Sequence, residues 1–393
     1  MKRKGLWALL GIVILGGAIT AGMFFKENHD HAKRFTYTNL HVKKWQADTK
    51  PLITQAEFDQ NIRKVNQDNS GKTKLKNWDS VVIPGLRGAW SINHQTKKPT
   101  LGKDWVPQGL TQNQDYYFIS AYDGDHRLNS LIFVVNKHTG KYVKTLLLNN
   151  KSHVGGLAYD QHHQRLWISE DSSKYAGLAA VSQKEIDDYH AEQVKGPIST
   201  KKFNLPWAAR TSGLDFYNNQ LVIVKYGQDK QSRAIIAMPV QEDGYPVKVT
   251  DEILGKAYSS NVDHFIDGLV KQHVINSFAP GYDRMQGLTT TEHGLTMFSQ
   301  SNGDKNAKIL VKEPNKRSGR DFNFFAPAGG VTGFHVPPSV EQISINNPDD
   351  NQLAMLFESG AAKYRKERES KFGPYPMISD RLLILPIVES ETK

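Results

Sequence analysis

The chain has 393 residues and contains no cysteine. This absence excludes disulfide bonds, thiolate metal sites, cysteine nucleophiles and membrane attachment through a lipidated cysteine. It fits the exterior of a bacterium that does not depend on disulfides. The chain also lacks Gly-x-Ser-x-Gly, His-Glu-x-x-His, P-loop and EF-hand patterns. Their absence argues against a serine hydrolase, a zinc protease, an ATPase and a calcium sensor.

The charge of the chain is unbalanced toward lysine and arginine, with a formal net charge of +10. Three of these charges, Lys2, Arg3 and Lys4, precede a long apolar run. The other lysines are scattered along the chain, as on a solvated surface, and no nucleic-acid recognition motif accompanies them. We therefore predict no nucleic-acid partner, while a basic surface suits an anionic cell wall.

Residues 5–25 form an apolar run without a charged side chain. A helix of this length rises about 30 Å, which matches the hydrocarbon core of a bilayer. Cations precede the run, whereas Lys26 and Glu27 cancel after it, so the positive-inside bias exports the rest of the chain. The pattern predicts a cytoplasmic tail (1–4), a single-pass anchor in the cell membrane (5–25) and an extracellular remainder. A cleaved signal peptide is the alternative, with Thr20-Ala21-Gly22 as a poor cleavage site.

Residues 26–78 are polar and rich in lysine, with few apolar clusters. Within them, residues 51–65 carry apolar side chains at helical spacing, which predicts a short helix. We interpret 26–78 as a stalk or linker between the membrane and a folded domain at 79–390.

From about residue 79, short β-rich runs alternate with Gly, Asn and Asp turns, and one small motif recurs. Its copies are Gln108-Gly109-Leu110, Gly155-Gly156-Leu157, Ser212-Gly213-Leu214, Gln286-Gly287-Leu288 and, more weakly, Glu341-Gln342-Ile343. The first copy opens four predicted strands in about 45 residues, which is the length of one propeller blade. The sequence therefore predicts an all-β propeller of four-stranded antiparallel blades.

The fifth copy reaches the end of the chain with only three predicted strands. Residues 79–83 can supply the missing outer strand, so that both ends of the domain share one blade. This predicts five blades, with six as the alternative if the long interval between the third and fourth copies hides another. Helical insertions are expected at 183–194 and 361–369, a further insertion at 243–271, and outer strands at 273–278 and 322–325.

The first blade carries a family resemblance. Its opening, Pro107-Gln108-Gly109-Leu110, followed by YYFISAY and LIFVVN, resembles a blade of the NHL and SMP-30-like propellers. The chain also looks like the uncharacterised membrane-anchored propellers that Gram-positive bacteria, lactic acid bacteria especially, carry outside the cell. The resemblance implies a propeller fold and, in SMP-30-like enzymes, a divalent metal held on the axis by carboxylates and an Asn. A full set of those ligands is not found in this sequence.

Propeller geometry predicts where a ligand binds. The starts of the inner strands and the ends of the second strands lie on one face near the axis, and their side chains line a central pocket. The ligand-binding candidates are Gln108, Tyr122, Asp123, His153, Glu170, Arg210, Ser212, Tyr226, Gln286, Gln300, Glu341 and Glu358. The glycines beside them are expected to allow close packing around the axis.

Catalytic candidates among these residues are Glu170, Glu341, Glu358 and His153. Two facing carboxylates can act as acid and base on a glycoside, or hold a divalent cation such as calcium. The same carboxylates can also be solvated or paired with Arg210 and Lys225, and His153 can be a ligand, a proton carrier or a structural residue. No cofactor is certain from these residues.

Three functions remain open from the sequence. The first is a cell-surface protein that binds a polar ligand or partner, such as a cell-wall glycan, a peptide or another surface protein. The second is a metal-dependent hydrolase or lactonase of the SMP-30-like kind. The third is a glycosidase-like enzyme that uses paired carboxylates. Fold alone does not decide among them, because propellers host many unrelated activities.

Overall fold

The computed structural model describes residues 45–172, 175–227, 232–312, 332–346, 350–365 and 375–387. The predicted cytoplasmic tail and membrane anchor lie outside these residues. Within the described part of the chain, no helix is long and apolar enough to cross a membrane.

The described residues form an all-β propeller of five antiparallel sheets, each with four strands. The strands are, in chain order, β1 (Asp79–Val82), β2 (Ala89–Ile92), β3 (Pro99–Gly102), β4 (Trp105–Gln112), β5 (Tyr116–Asp123), β6 (Leu131–Asn136), β7 (Tyr142–Leu147), β8 (Leu157–Asp160), β9 (Arg165–Ser172), β10 (Tyr175–Ser182), β11 (Lys201–Asn204), β12 (Thr211–Tyr217), β13 (Gln220–Lys225), β14 (Ala234–Pro239), β15 (Ser277–Pro280), β16 (Met285–Thr290), β17 (Thr296–Gln300), β18 (Ala307–Lys312), β19 (Thr332–Val336), β20 (Val340–Asn346), β21 (Asp350–Phe357) and β22 (Arg381–Pro386).

The blades match the recurring motif. Blade 1 is β4-β5-β6-β7, blade 2 is β8 to β11, blade 3 is β12 to β15, blade 4 is β16 to β19, and blade 5 is β20-β21-β22-β1. The five inner strands, β4, β8, β12, β16 and β20, contact one another around the axis. The prediction of five four-stranded blades is confirmed, and the long interval after the third motif holds helices rather than a sixth blade.

Ring closure joins the two ends of the domain. Strand β1 pairs antiparallel with β22, and Asp79 lies opposite Ile384 while Val82 lies opposite Arg381. The first strand of the propeller thus completes its last blade, as the sequence predicts. The closure replaces an exposed sheet edge with a paired one.

The motif glycines allow the inner strands to approach closely at the axis. A Cβ on Gly213 would lie 2.7 Å from the Cα of Gly287, and a Cβ on Gly156 would lie 2.8 Å from the carbonyl carbon of Gly213. Such distances exclude any side chain at these positions. The expectation that these glycines serve close packing agrees with this arrangement.

The fifth copy of the motif has Gln342 where the other four have glycine. The Gln342 side chain fills the space that those glycines leave and is almost completely buried. Its Oε1 accepts hydrogen bonds from the backbone N–H groups of Leu110 (3.1 Å) and Leu157 (2.8 Å). Its Nε2 donates to the carbonyl oxygens of Leu157 and Leu214. One amide therefore joins blade 5 to blades 1, 2 and 3 across the axis.

Residues 45–78 pack against the propeller, which differs from the expectation of a stalk. Helix α1 (Gln55–Val65) buries Phe58, Ile62 and Val65 completely against blades 4 and 5. Its spacing of four and three residues places these side chains on one helix face. A capping box between Thr54 and Glu57 begins the helix. The predicted short helix at 51–65 therefore exists, and it belongs to the folded domain.

Between β1 and blade 1, β2 and β3 form a two-stranded hairpin that no sequence pattern predicts. The indole of Trp105 donates a hydrogen bond to the carbonyl oxygen of Gly102 (3.1 Å), which holds the hairpin against blade 1. Because its two short strands carry no copy of the motif, the repeat gives no sign of the hairpin.

The blade insertions are helical. They are α2 (Gln183–Asp188) and α3 (Ala191–Val194) in blade 2, α4 (Asp251–Ala257) and α5 (Val262–Lys271) in blade 3, and α6 (Ala362–Arg365) in blade 5. The single helix predicted at 183–194 is thus two helices. The outer strand of blade 3 begins later than the predicted 273–278. The outer strand of blade 4 is β19, and the predicted 322–325 lies outside the described residues.

Candidate functional site

The five inner strands start, and the five second strands end, on the same face of the propeller, which we call the upper face. The residues that precede the axial positions, among them Gln108, Ser212, Gln286 and Glu341, lie on this face around the axis. Beneath them Gln342 and the motif glycines close the axis.

Two glutamates meet where blade 5 reaches the upper face. Glu341 lies near the start of β20, and Glu358 directly follows β21, whose Phe357 pairs with Val340. Glu341 is buried, whereas Glu358 is partly exposed. Desolvation raises the pKa of both carboxyls, and the charge of Glu358 raises the pKa of Glu341 further, to well above its ordinary value. Because two close, poorly solvated carboxylates repel, the pair retains a proton to higher pH than an isolated glutamate.

Lys363 supplies the cation beside this pair. Its Nζ donates to the hydroxyl of Tyr122 at 2.6 Å. Burial alone lowers the pKa of Lys363, but the nearby Tyr122 and Glu358 more than offset this effect, so the pKa lies above its ordinary value. Burial also raises the pKa of Tyr122 to about 12. Lys363 is therefore an ammonium group, and Tyr122 keeps its hydroxyl proton.

Tyr122 lies between two histidines. Its ring stacks on His153, with ring centroids 4.1 Å apart, and on His126, at 5.0 Å. Desolvation and the charge of Lys363 lower the pKa of His126 to about 4 and that of His153 well below its ordinary value. The His153 residue is nevertheless exposed to water.

Gln108 and Tyr364 hold Glu358 from two sides. Gln108 Nε2 donates to Glu358 Oε2 at 3.0 Å, and Tyr364 forms a side-chain hydrogen bond with the same carboxyl. The Tyr364 ring packs on Tyr375, with centroids 4.8 Å apart. Glu358 thus keeps a fixed position while part of it remains open to solvent.

We call this arrangement the upper-face depression and define it by Gln108, Tyr122, His153, Glu341, Glu358 and Lys363. Five of these six residues are sequence-predicted candidates. Lys363, Tyr364 and His126 were missed. Lys363 and Tyr364 lie in the predicted helical insertion at 361–369, whose described part is α6. Because that insertion directly follows the end of β21, its position at the upper face could have been inferred.

A second polar cluster lies where blades 2 and 3 meet the upper face. The backbone N–H of Arg210 donates to Asp171 Oδ2 at 2.5 Å. Lys225 lies opposite Thr211 in the β12–β13 pair, and the Arg210 guanidinium lies 5.3 Å from the centroid of the Tyr226 ring. Burial raises the pKa of Asp171 to about 6 and lowers the pKa of Lys225 to about 8.

Other predicted candidates are engaged by their own neighbours. Asp123 accepts the backbone N–H groups of Arg127 (2.9 Å) and Leu128 (3.0 Å), so it stabilises a turn. Burial raises its pKa to about 6. Glu170 is buried between Lys202 (2.7 Å) and Asn150 (2.6 Å). It therefore lies apart from the pair formed by Glu341 and Glu358.

The remaining candidates belong to blades 3 and 4. Ser212 donates weakly to the carbonyl oxygens of Val224 (3.4 Å) and Met285 (3.3 Å). Gln300 donates to the carbonyl oxygen of Asp283 at 2.8 Å. Gln286 is partly exposed.

The described residues do not fit the axial metal site that the SMP-30-like resemblance implies. No group of three or more His, Asp or Glu side chains within them is arranged to hold a metal ion. The carboxyl pair already faces an ammonium group, Lys363, whose charge opposes a cation at that position.

A separate cleft of about 610 Å³ opens near the rim of the same face, between α1 and blades 4 and 5. Its lining includes Lys64, Asp304, Lys305, His335 and Pro376. It shares no residue with the upper-face depression. Its charges alternate in sign, and none of its residues is a sequence-predicted candidate.

Comparisons with known proteins give likenesses in fold. No protein-family model and no curated protein matches this chain. Similar solved structures include the PQQ-bound aldose sugar dehydrogenase of Streptomyces coelicolor, with 13% identity, a TM-score of 0.41, and coverage of 79% of this chain and 98% of that one. A luciferin-regenerating enzyme is similar at 11% identity with a TM-score of 0.39. That match covers 77% of this chain and 85% of the other.

Hydrazine synthase of Kuenenia stuttgartiensis is similar at 13% identity with a TM-score of 0.32. The match covers 64% of this chain and 55% of that one, so the chain spans about half the length of this protein. At such identities the likeness concerns the fold alone.

Proposed function

We propose that this chain is a membrane-anchored extracellular propeller that binds a polar ligand in the upper-face depression. The observation that carries the proposal is the cluster of Glu341, Glu358, Lys363 and Tyr122 at the upper face. A poorly solvated carboxyl pair with a neighbouring ammonium group is costly to fold unless its hydrogen-bonding capacity is used. Ligand pockets characteristically combine a few such polar groups with aromatic walls.

A glycan suits this site better than an apolar molecule. The protonated member of the glutamate pair donates a hydrogen bond and the ionised member accepts one, so together they match the hydroxyl groups of a sugar. The exposed ring of His153, which stacks on Tyr122, supplies a flat wall beside them. A cell-wall glycan is therefore the first ligand class, and a peptide or a surface protein is the alternative partner.

The membrane part of the proposal rests on residues 5–25, whose length and flanking charges match a single-pass anchor. It predicts that the full chain sediments with membranes and resists extraction by alkaline carbonate. It also predicts that protease added to intact cells degrades the propeller. A chain that stays soluble inside the cell would contradict both statements.

The binding test uses the full chain in detergent and an array of cell-wall glycan fragments, followed by titration calorimetry with the tightest binder. Glu358→Gln and Tyr122→Phe should weaken that binding at least tenfold, because the first removes a charge from the depression and the second removes the hydroxyl that fixes Lys363 beside it. Glu252→Gln in α4, outside the depression, is the control and should bind normally. If the unaltered chain and the three variants bind the glycan equally tightly, the ligand binds outside the depression.

A hydrolase with paired carboxylates is the second candidate function. The raised pKa of both Glu341 and Glu358 favours it, because one carboxyl can then donate a proton while the other remains a base or nucleophile. Aryl glycosides provide the assay. Turnover that disappears in both Glu341→Gln and Glu358→Gln would favour this enzyme, and turnover that persists in both would exclude the pair as its acid and base.

A further inference from the structure

The second polar cluster at the upper face contains two cations with no ion-pair partner among the described residues. Arg210 directly precedes β12, and Lys225 ends the neighbouring strand β13. Both side chains are partly exposed, so they are open to solvent at this face. Cations in such a position present an excess of positive charge to whatever occupies the face.

The conformation of Arg210 is fixed by its surroundings. Its φ of +62° lies in the left-handed region, which is strained for a residue with a side chain. Asp171 accepts its backbone N–H, and its own carbonyl oxygen accepts the N–H of Tyr226 at 3.0 Å. These bonds hold the strained backbone, and they leave the guanidinium over the Tyr226 ring with its donors unused by the described residues. Strain that is maintained by several bonds is characteristic of functional positions.

Lys225 is held close to Arg210 and Asp171 by the sheet. Each of these neighbours affects its pKa, Asp171 upward and Arg210 downward, while desolvation has the largest effect and lowers the pKa to about 8. The single carboxylate of Asp171 leaves the cluster with one net positive charge when all three groups are ionised. A ligand anion would restore the balance.

We propose that Arg210 and Lys225 form an oxyanion subsite of the upper-face depression, which makes the ligand an acidic glycan with a phosphate or carboxylate group. The guanidinium plane offers paired donors that match the oxygens of either group, and the ammonium adds a point charge. This proposal rests on the proposed binding function and names its ligand class. The sugar hydroxyls would face blades 5 and 1, and the acidic group would face blade 3.

Inorganic phosphate and acetate are the probes, each titrated into the full chain in detergent at constant ionic strength by equilibrium dialysis. We expect saturable binding of at least one ion. Arg210→Gln and Lys225→Gln should weaken it at least tenfold, and Lys225→Arg should retain most of it. Lys256→Gln, an exposed lysine of α4, is the control and should bind as the unaltered chain does. The ion that binds identifies the acidic group.

Chemical labelling provides a second measurement that does not depend on a folded variant. Trace acylation at pH 8 should modify Lys225 faster than the exposed lysines, because more of its amine is neutral. The bound ion should slow this reaction at Lys225 and leave the rate at Lys256 unchanged. Absence of saturation with both ions, or binding that persists in Arg210→Gln, would overturn the subsite.

The two proposals fail separately. A glycan that binds without an acidic group, and loses affinity in Glu358→Gln but not in Arg210→Gln, would overturn the oxyanion subsite and leave the binding function standing. Oxyanion binding at Arg210 with no glycan affected by Glu358→Gln would instead overturn the glutamate site.

Discussion

Gln342 lies against Gly287 at the propeller axis, where a Cβ added to Gly287 would come within 3.0 Å of the Gln342 Cα. The other four motif copies have glycine at this level, and a Cβ on any of these glycines would lie 3.0 Å or less from a neighbouring atom. The amide of Gln342 uses this space to bind backbone groups of three other blades.

Gly213→Ala should destabilise the propeller, because the new methyl group would meet the backbone of blade 4 at 2.7 Å. Overpacking of this kind costs about 1–3 kcal/mol, and rigid backbone places it at the upper end. Urea unfolding measures the change in the free energy of unfolding. Gly255→Ala is the matched control, since an added Cβ in α4 has no atom within 4 Å and alanine favours a helix. Equal loss in both variants would refute the axial contact.

Gln342→Leu should also lower the free energy of unfolding. The leucine has a similar volume but leaves the N–H groups of Leu110 and Leu157 buried without an acceptor. Each unsatisfied group costs about 1–3 kcal/mol. Gln114→Leu, at an exposed turn, is the control and should have little effect. A stability of Gln342→Leu equal to that of the unaltered chain would mean that water replaces the amide.

Phe58→Ala tests whether residues 45–78 belong to the folded domain. Phe58 is fully buried in the cluster that includes Met297 and Phe357. Loss of a buried phenylalanine costs about 3–5 kcal/mol. Thermal unfolding should therefore show a clear decrease. Glu57→Ala removes only the Glu57 half of the capping box, while Thr54 remains the N-cap, so it should cost less. If Phe58→Ala leaves the thermal stability of the propeller unchanged, the interpretation of 26–78 as a linker would stand.

Lys363→Met should raise the pKa of His126 from its value of about 4. Desolvation is the main cause of the low pKa, and the charge of Lys363 is the next. Removal of the charge should therefore give a partial rise, which NMR titration of the histidine ring measures. Lys184→Met, on α2, should leave the His126 titration unchanged. A fall in the pKa of His126 would contradict the position of Lys363.

Asp215 should make stability depend on pH. It accepts the N–H of Thr290 (3.0 Å), and desolvation raises its pKa from 3.8 to about 7. Because the folded state holds this proton more tightly, the stabilisation is complete below pH 4 and is lost as the pH rises through 7. Asp215→Asn should flatten the unfolding free energy over this window in urea titrations. If the unfolding free energy of both proteins depends on pH in the same way, Asp215 is not the cause of that dependence.

The sequence predicts the blades because four of the five inner strands need glycine at the axis, and the recurring Gly-Leu motif marks those strands. It does not predict the function of Gln342. In the sequence, this glutamine is only a departure from the motif, and its role follows from the positions of the other four inner strands around it. Phe58, Ile62 and Val65 have the spacing of a buried helix face. The residues around them are polar, however, and nothing in the sequence indicates that the helix packs on blades 4 and 5.

The candidate site is predicted in part for a similar reason. Strand starts and ends place Gln108, Tyr122, Glu341 and Glu358 on one face, and the structure brings them together. Nothing in their spacing distinguishes them from Glu170, whose charge is neutralised by Lys202 and whose carboxylate accepts a hydrogen bond from Asn150. Lys363 comes from an insertion without a repeat, so no periodic signal could assign it to the site.

The pairing of β1 with β22 also governs how the protein can be made. These strands are separated by about 300 residues of chain, so a ribosome releases β1 long before its partner exists. Until then blade 5 has open strand edges that can pair with another copy of the chain. Assembly of the ring therefore waits for the last strand, and a chain cut short before residue 381 would be prone to aggregation. During synthesis, blade 5 is therefore the part of the protein that most needs protection from aggregation.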